Sequence, residues 1–293
     1  MKVLIFGSSG FIGFPAAQAL SRAGHIVYGQ TRSEAKAKQL AAEESTWILA
    51  CHGVSGSYLW AHGGTANMQV VSASIREAVI LAAQSLRPSH APKLTYIYTA
   101  GTWVHGENRS EIVTDTTPIT NPPKLVAWRP EQEQLTVTNS ILNGIVVRPA
   151  LLYGRSGSLF EAMFKEAKVE KKVTWPGTPG GKFALIHADD LADLYVRLAE
   201  GASIAGGKIF DAANDISEDV DAFLKKMSIV AGLDGKYEYR NPANLYEVAL
   251  GTTSLVRPHL GRALFGWQPR KIGLTDGLEI YYAAYLNSVN LDV

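Results

Sequence analysis

Cysteine is almost missing from this 293-residue chain, where Cys51 stands alone. One cysteine forms no internal disulfide, and its isolation fits a reducing compartment, so a cytoplasmic protein is expected. An excess of one charge is also lacking. The 28 Lys and Arg against 27 Asp and Glu leave a formal net charge of +1. That balance excludes the basic footprint of a nucleic-acid binder and the polybasic patch of a membrane-surface protein. No sustained apolar run, unbroken by glycine, serine or other polar residues, reaches about 18 residues, so no membrane span is expected.

The apolar start is broken by glycines, which speaks against a secretory signal core. Without such a signal the acceptor triplet Asn108-Arg109-Ser110 carries no meaning for glycosylation. His-Glu-x-x-His, paired cysteines and a Gly-x-Ser-x-Gly elbow are all missing, and the seven histidines show no ligand spacing. Zinc-protease and hydrolase-elbow chemistry are therefore set aside, and no metal is expected. Internal repeats and Pro-rich, Gly/Ser-rich or like-charge linkers are missing too.

What is there begins at the first strand-like run. Apolar residues make up 46% of the chain, enough for a sizeable core. Lys2-Val3-Leu4-Ile5-Phe6 runs into Gly7-Ser8-Ser9-Gly10-Phe11-Ile12-Gly13, an amphipathic stretch Phe14–Ala23 stops at Gly24, and a second strand pattern follows over His25–Gln30. The order strand, glycine turn, helix, strand is that of a dinucleotide site. Glycines let the backbone approach a pyrophosphate, and the helix N-terminus offers it free N–H groups and a positive dipole end.

Further strand patterns cover Leu94–Thr99, Gly144–Arg148, Phe183–Ile186 and Lys208–Asp211. Helix patterns cover Glu34–Glu44, Gln69–Leu86, Arg129–Ser140, Leu159–Lys168 and Ala188–Glu200. The alternation predicts an α/β fold, a Rossmann-type doubly wound parallel sheet. The last third changes character, with helices expected over Glu218–Ala231, near Leu245–Leu250, over Pro258–Leu264 and over Thr275–Leu286. It reads as a small, mostly helical C-terminal substrate lobe. The expected division is a nucleotide-binding domain over 1–155 plus about 183–215, and a lobe over about 156–182 and 216–293. Between Ser45 and Gln69 only Trp47–Ala50 reads as a short strand. The glycine-laden stretch after it is too rich in glycine for a central strand.

Taken together, several short pieces resemble the extended short-chain dehydrogenase/reductases, the NAD(P)-dependent epimerase/dehydratase group. They are the glycine turn, Tyr96–Gly106, Val147-Arg148-Pro149-Ala150-Leu151-Leu152-Tyr153-Gly154, Ala184–Ala192 and Leu264–Pro269. The resemblance implies that Gly7, Gly10 and Gly13 cradle a pyrophosphate, with Ser9, Phe11 and Ile12 beside it. It places the Arg148-Pro149-Ala150 turn under a nicotinamide. Asp190 reads equally as a helix cap or a site residue. After the second strand the chain reads Gln30-Thr31-Arg32-Ser33, with no carboxylate before Glu34. An acidic residue there would bind the ribose 2′-OH of NAD, whereas Thr31 and Arg32 suit a 2′-phosphate, so NADP(H) is favoured over NAD(H).

The chain departs from the resemblance at its chemistry. No tyrosine has a lysine four residues later, although the family's proton relay uses that pair. The stretch where it belongs, Pro122–Glu133, opens a helix at Arg129-Pro130 without it, and Ala100-Gly101 stand where serines are common. Three functions from different classes stay open. The first is an NADP(H)-dependent oxidoreductase on a small organic carbonyl or alcohol. There Thr99 or Thr102 holds the carbonyl, and Arg129, His105, His187 or Tyr153 supplies charge or a proton, with Trp128 shaping the pocket. The second is a redox-neutral epimerase, isomerase or cyclase with Glu131 or Glu133 as base. The third is a non-catalytic NADP-sensing regulator. Tyr246, Leu250, Leu255, Leu260 and Leu264 hint at an apolar rather than sugar-like small-molecule substrate. A monomer or a homodimer is expected, the latter joined through Gln69–Leu86 and Arg129–Ser140.

Overall fold

The computed structural model describes residues 1–31, 33–49, 67–156 and 158–289. Arg32 and most of the glycine-rich stretch after Leu49 lie outside the described residues.

The chain opens with β1 (Lys2–Ile5), α1 (Gly13–Arg22), β2 (Ile26–Thr31), α2 (Glu34–Ala42) and β3 (Thr46–Leu49). Then come α3 (Met68–Leu86), β4 (Leu94–Thr99), a 3-10 turn over Thr102–His105 and β5 (Asn108–Val113). The middle holds α4 (Arg129–Val137), β6 (Leu142–Pro149), β7 (Leu151–Tyr153), α5 (Glu161–Val169), β8 (Thr174–Pro176), β9 (Lys182–Phe183), β10 (Leu185–His187) and α6 (Ala188–Glu200). The last part runs α7 (Ala202–Ala205), β11 (Lys208–Ala212), β12 (Glu218–Asp219), α8 (Val220–Val230), β13 (Glu238–Arg240), α9 (Leu245–Leu250), β14 (Ser254–Val256), α10 (Leu260–Phe265) and α11 (Leu278–Val289).

The longer strands fall into two three-stranded sheets, in the orders β1-β2-β3 and β11-β6-β4. In the first, β2 pairs in parallel with both neighbours, Val3 opposite Val27 and Gly29 opposite Trp47. Parallel pairing forces a crossover between successive strands, and the intervening helices supply it. The short strand read at Trp47 is thus β3, starting one residue earlier.

Two compact units result. The first takes in Met1–Tyr98, Glu131–Val146 and Ala188–Lys208. Its core packs α1 onto α6, with Ala17, Leu20, Val27 and Leu40 buried against Val196 and Ala199. Alanines at the helix contact let the two backbones close on each other. Pro15 sits in the first turn of α1, where its missing N–H removes no helical bond.

The second unit takes in Thr99–Pro130, Val147–His187 and Ile209–Val293. An aromatic core holds it together. Phe160, Phe183 and Phe223 meet pairwise with ring centroids 5.4–5.9 Å apart, and Trp175 packs on Phe183 at 5.6 Å. Burying a side chain of this size contributes about 1.5–3 kcal/mol, so this cluster dominates the unit's stability. Short strands add to the expected helices here: β7 pairs with β10, β8 with β13, β5 with β14, all in parallel, and β9 with β12 antiparallel. Among the described residues no helix is long and apolar enough to cross a membrane.

Candidate functional site

In the first unit the glycine turn has a definite shape. Gly7 takes φ +71°, a left-handed conformation that glycine adopts without steric cost. The N–H of Gly10 donates to the Gly7 carbonyl at 2.9 Å, and that of Phe14 to the Gly10 carbonyl at 2.9 Å. A β-carbon on Gly13 would collide with the Gly7 carbonyl oxygen, so only glycine lets the helix start so close beneath the turn. α1 begins there with no side-chain cap and no acid in its first turn. The positive end of the helix is left uncompensated, the condition for holding an anion.

The second strand braces this turn. Gly7 N–H donates to Gln30 Oε1 at 3.2 Å, Ser8 Oγ to the Gln30 carbonyl at 2.9 Å, and Thr31 Oγ1 to Ser9 Oγ at 3.1 Å. Ser33 caps α2 by accepting from Lys36 N–H. The structure therefore brings Gly7, Ser9, Gly10, Phe11, Ile12, Gly13 and Thr31 together. The bracing role of Gln30 had no signal in the sequence pattern.

The second unit holds the carboxyl ends of β4, β6 and β11. Ala100 N–H donates to the Val147 carbonyl at 2.7 Å and Ala150 N–H to the Ala212 carbonyl at 2.8 Å. Gly101, Arg148-Pro149-Ala150 and Asp211 are thereby set along one edge. Thr99 closes β4, and Thr102, buried, opens the 3-10 turn. The guanidinium of Arg129 lies against Gly101, with Nη1 2.9 Å from where a β-carbon would stand. It also rests over the Trp128 ring, 5.5 Å from the centroid, while Trp128 Nε1 donates to the Leu125 carbonyl at 3.1 Å. The Trp128 ring thus helps to hold the cation in place.

A second polar group gathers beside it. His105 Nε2 lies 2.9 Å from Asp211 Oδ2, and Arg148 Nη1 lies 3.7 Å from Asp211 Oδ1. Asp115 accepts from the backbone N–H groups of Asp211 at 2.7 Å, His259 at 2.7 Å and Leu260 at 3.1 Å. Burial, and then the Asp211 carboxylate, push the Asp115 carboxyl above its ordinary value, with the three N–H donations pulling the other way. His105 Nδ1 is buried without a hydrogen-bond partner among the described residues.

Tyr153 and His187 are packed inside this unit. Their rings meet edge-on at 5.2 Å, each also touching Tyr281. The Tyr153 hydroxyl donates to the Ile272 carbonyl at 3.0 Å and accepts from Asn214 Nδ2 at 3.0 Å. Gly154, at φ +94°, lies so close that a β-carbon would strike the His187 imidazole. In the first unit Glu133 is fully buried on α4, whereas Glu131 stands in its first turn. Asp190, also buried, sits in the first turn of α6. Among the described residues no group of three or more His, Cys, Asp or Glu is placed to hold a metal ion.

No protein-family model matches the chain. An uncharacterised protein of Saccharomyces cerevisiae, YLL056C, is 22% identical over 97% of this chain and 99% of its own length. The UDP-glucuronic acid 4-epimerase of Bacillus cereus, solved with NAD, superposes with a TM-score of 0.77 at 16% identity, over 99% of each chain. The human epimerase family protein SDR39U1, solved with NADPH, superposes with a TM-score of 0.68 at 18% identity, over 97% of this chain and 99% of that one.

The chain shares the Rossmann-type α/β fold of these epimerase-family structures. Gly101, Arg129 and Arg148 line the edge outside the carboxyl ends of β4 and β6, the side on which open α/β sheets in general bind their ligands. The sequence pattern pointed to Arg148, Arg129 and Thr102 there. It missed Asp211 and Asp115, single acids in unremarkable surroundings: Asp211 meets His105 across 106 residues of sequence, and Asp115 meets the Asp211 N–H across 96.

Proposed function

We propose that the chain is an NADP(H)-dependent oxidoreductase acting on a small organic carbonyl or its alcohol. The observation that carries this reading is the glycine turn. Its Gly7–Gly13 contact leaves room for no side chain, and the helix behind it starts without a side-chain cap and without an acid. Those features fit a pyrophosphate. Solved proteins of the same fold hold NAD or NADPH, which supports the cofactor class. The preference for NADP(H) rests on Thr31-Arg32-Ser33 and the lack of a carboxylate before Glu34.

The bound dinucleotide would supply or accept the hydride. The chain's own part is to bind and orient. Backbone N–H groups of the turn would hold the diphosphate, and the Thr31 hydroxyl, which donates to Ser9, would serve the ribose end. Arg129 replaces the missing hydroxyl chemistry. Its guanidinium occupies the space beside Gly101 and polarises a carbonyl oxygen as negative charge develops on it. Thr99 and Thr102 flank that point as hydroxyl donors. Pro149 and Ala150, both buried, would form an apolar floor beneath the nicotinamide.

Calorimetric titration with NADPH and, separately, NADH tests the reading. Tight NADPH binding with much weaker NADH binding is expected. Binding of neither overturns the cofactor assignment, and equal binding overturns the preference.

A further inference from the structure

Reducing a carbonyl takes a proton as well as a hydride, and the side chains that the sequence pattern offers for it are engaged elsewhere. The Arg129 guanidinium stabilises negative charge but gives up no proton in a protein. His105 Nε2 is taken up by Asp211 at 2.9 Å, with the imidazole 1% exposed. The His187 ring is packed against Tyr153 and Tyr281, and the Tyr153 hydroxyl donates to the Ile272 carbonyl. Other phenols of the second unit are engaged too: Tyr237 and Tyr239 donate to Asp221, and Tyr281 to Ile272. Tyr246 differs. The residue is half-buried, and among the described residues its hydroxyl has no hydrogen-bond partner.

Tyr246 lies on α9, and its ring meets that of Trp103 edge-on, with centroids 5.8 Å apart. Trp103 stands two residues beyond Gly101, the glycine that Arg129 crowds. Tyr246 also packs on the cluster of Val104, Leu125, Val126 and Ala249. Four residues before Arg129, the spacing of tyrosine to lysine in the missing relay, stands Leu125. A tyrosine from the last third of the chain is thus seated on the cluster that holds the residue standing in the relay tyrosine's place. α9 itself is tied down at both ends. Asn244 caps it, Glu247 accepts from Arg240 Nη1 and Nη2 at 2.6 and 2.7 Å, and a β-carbon on Gly251 would strike the Pro176 carbonyl oxygen.

We propose that Tyr246 is a catalytic residue, the proton donor that replaces the relay tyrosine: its phenol protonates the carbonyl oxygen that Arg129 polarises. The inference rests on the oxidoreductase reading. In the reduction a hydride is added to the carbonyl carbon from NADPH, which leaves as NADP+, and the π pair moves onto oxygen. There an O–H bond forms as that of Tyr246 breaks, and water returns a proton to the phenolate. Burial first, and the Glu247 carboxylate second, hold the phenol above its ordinary value, so it carries its proton at neutral pH and can donate it.

Acetophenone, a small apolar ketone, is the probe. The full chain is made with tyrosine isotope-labelled at Cζ, and Tyr246→Phe identifies the Tyr246 resonance by its loss. With NADP+ in place of NADPH, so that no reduction occurs, and again without dinucleotide, acetophenone is expected to shift that resonance saturably. Y246F keeps the ring against Trp103 and loses only the oxygen. Its NADPH-dependent reduction of acetophenone is expected to fall by about a hundredfold or more in kcat with KM little changed, the scale of one positioned general acid. An unmoved resonance, or unchanged turnover in Y246F, overturns the inference, and a ring that only packs gives both. If Y246F does not fold, Trp103→Phe identifies the resonance through the altered ring current, and its response to acetophenone decides. NADPH titration of the same samples keeps the two readings apart. A saturable shift without NADPH binding sinks the cofactor assignment alone, and NADPH binding without the shift sinks this inference alone.

Discussion

Arg129 and Gly101 are mutually exclusive with a side chain between them: Nη1 of the one lies 2.9 Å from the β-carbon position of the other. Gly101 is extended, at φ 170°, a backbone open to any residue. The glycine is there for space, not for conformation.

Gly101→Ala therefore tests the guanidinium's position more than the fold. The clashing atom is the far end of a flexible side chain, so Arg129 moves aside. The stability loss is expected to stay near or below about 1 kcal/mol, the low end of small-to-large changes. NADPH-dependent carbonyl turnover is expected to fall by roughly a hundredfold, the scale for losing one oriented electrostatic donor. Thermal unfolding and turnover on the same preparation check both halves. A large loss of stability with turnover intact would contradict the role given to Arg129.

Gly13→Ala behaves differently, because here the clash is with backbone. The added carbon meets the Gly7 carbonyl oxygen, and neither partner can yield without moving α1 or the turn. A cost of roughly 2 kcal/mol or more is expected from overpacking, together with loss of NADPH binding. Denaturant unfolding and calorimetry measure the two effects. Gly24→Ala is the comparison, since a β-carbon there has open space and only its φ of +82° opposes it. That variant is expected to lose stability and keep binding.

These two glycines show why the first unit was legible in sequence and the second only partly so. The turn, α1 and β2 are contiguous, so strand pattern, glycine spacing and amphipathic helix all report on one local structure. α6 was read end to end, from Ala188 to Glu200, because its apolar stripe repeats over several turns. The strands β7, β8, β13 and β14 span three residues each, too short for an alternation to register. Their pairing is set by tertiary packing. Asp211 and Asp115 carry no local motif. Only the folding of distant segments onto one edge makes them a pair. Tyr153 illustrates the converse. Its family-like context drew attention to its hydroxyl, and the structure spends that hydroxyl on Ile272 and Asn214.

Tyr153→Phe is accordingly expected to act through stability. The Ile272 carbonyl retains the Tyr281 hydroxyl as donor at 2.7 Å, so one of its two bonds survives. Asn214 Nδ2 loses its acceptor. A cost of about 1–2 kcal/mol follows from a buried donor left unmatched, read as a shift in the denaturant midpoint at unchanged slope. No shift would mean that Asn214 finds another acceptor.

Asp115 gives the pH dependence of folding a definite sign. Its carboxyl is raised in the folded chain, by burial first and by Asp211 second. A group raised on folding holds its proton more tightly in the native state than in the unfolded chain. Its contribution is therefore fully present below the ordinary carboxylate value of about 3.9 and is lost as pH climbs through the raised native value. Asp115→Asn removes that titration but also turns one of the two acceptor oxygens into an NH2 donor, so the N–H groups of Asp211, His259 and Leu260 can no longer all be matched. The variant is thus expected to be less stable than the unaltered chain at about pH 4, with the gap narrowing as pH rises through the window just above the ordinary carboxylate value. Urea unfolding of both proteins in half-unit steps measures the gap. A gap that widens with pH would mean that the three N–H donors outweigh burial and the Asp211 charge, and that the Asp115 carboxyl is lowered by folding.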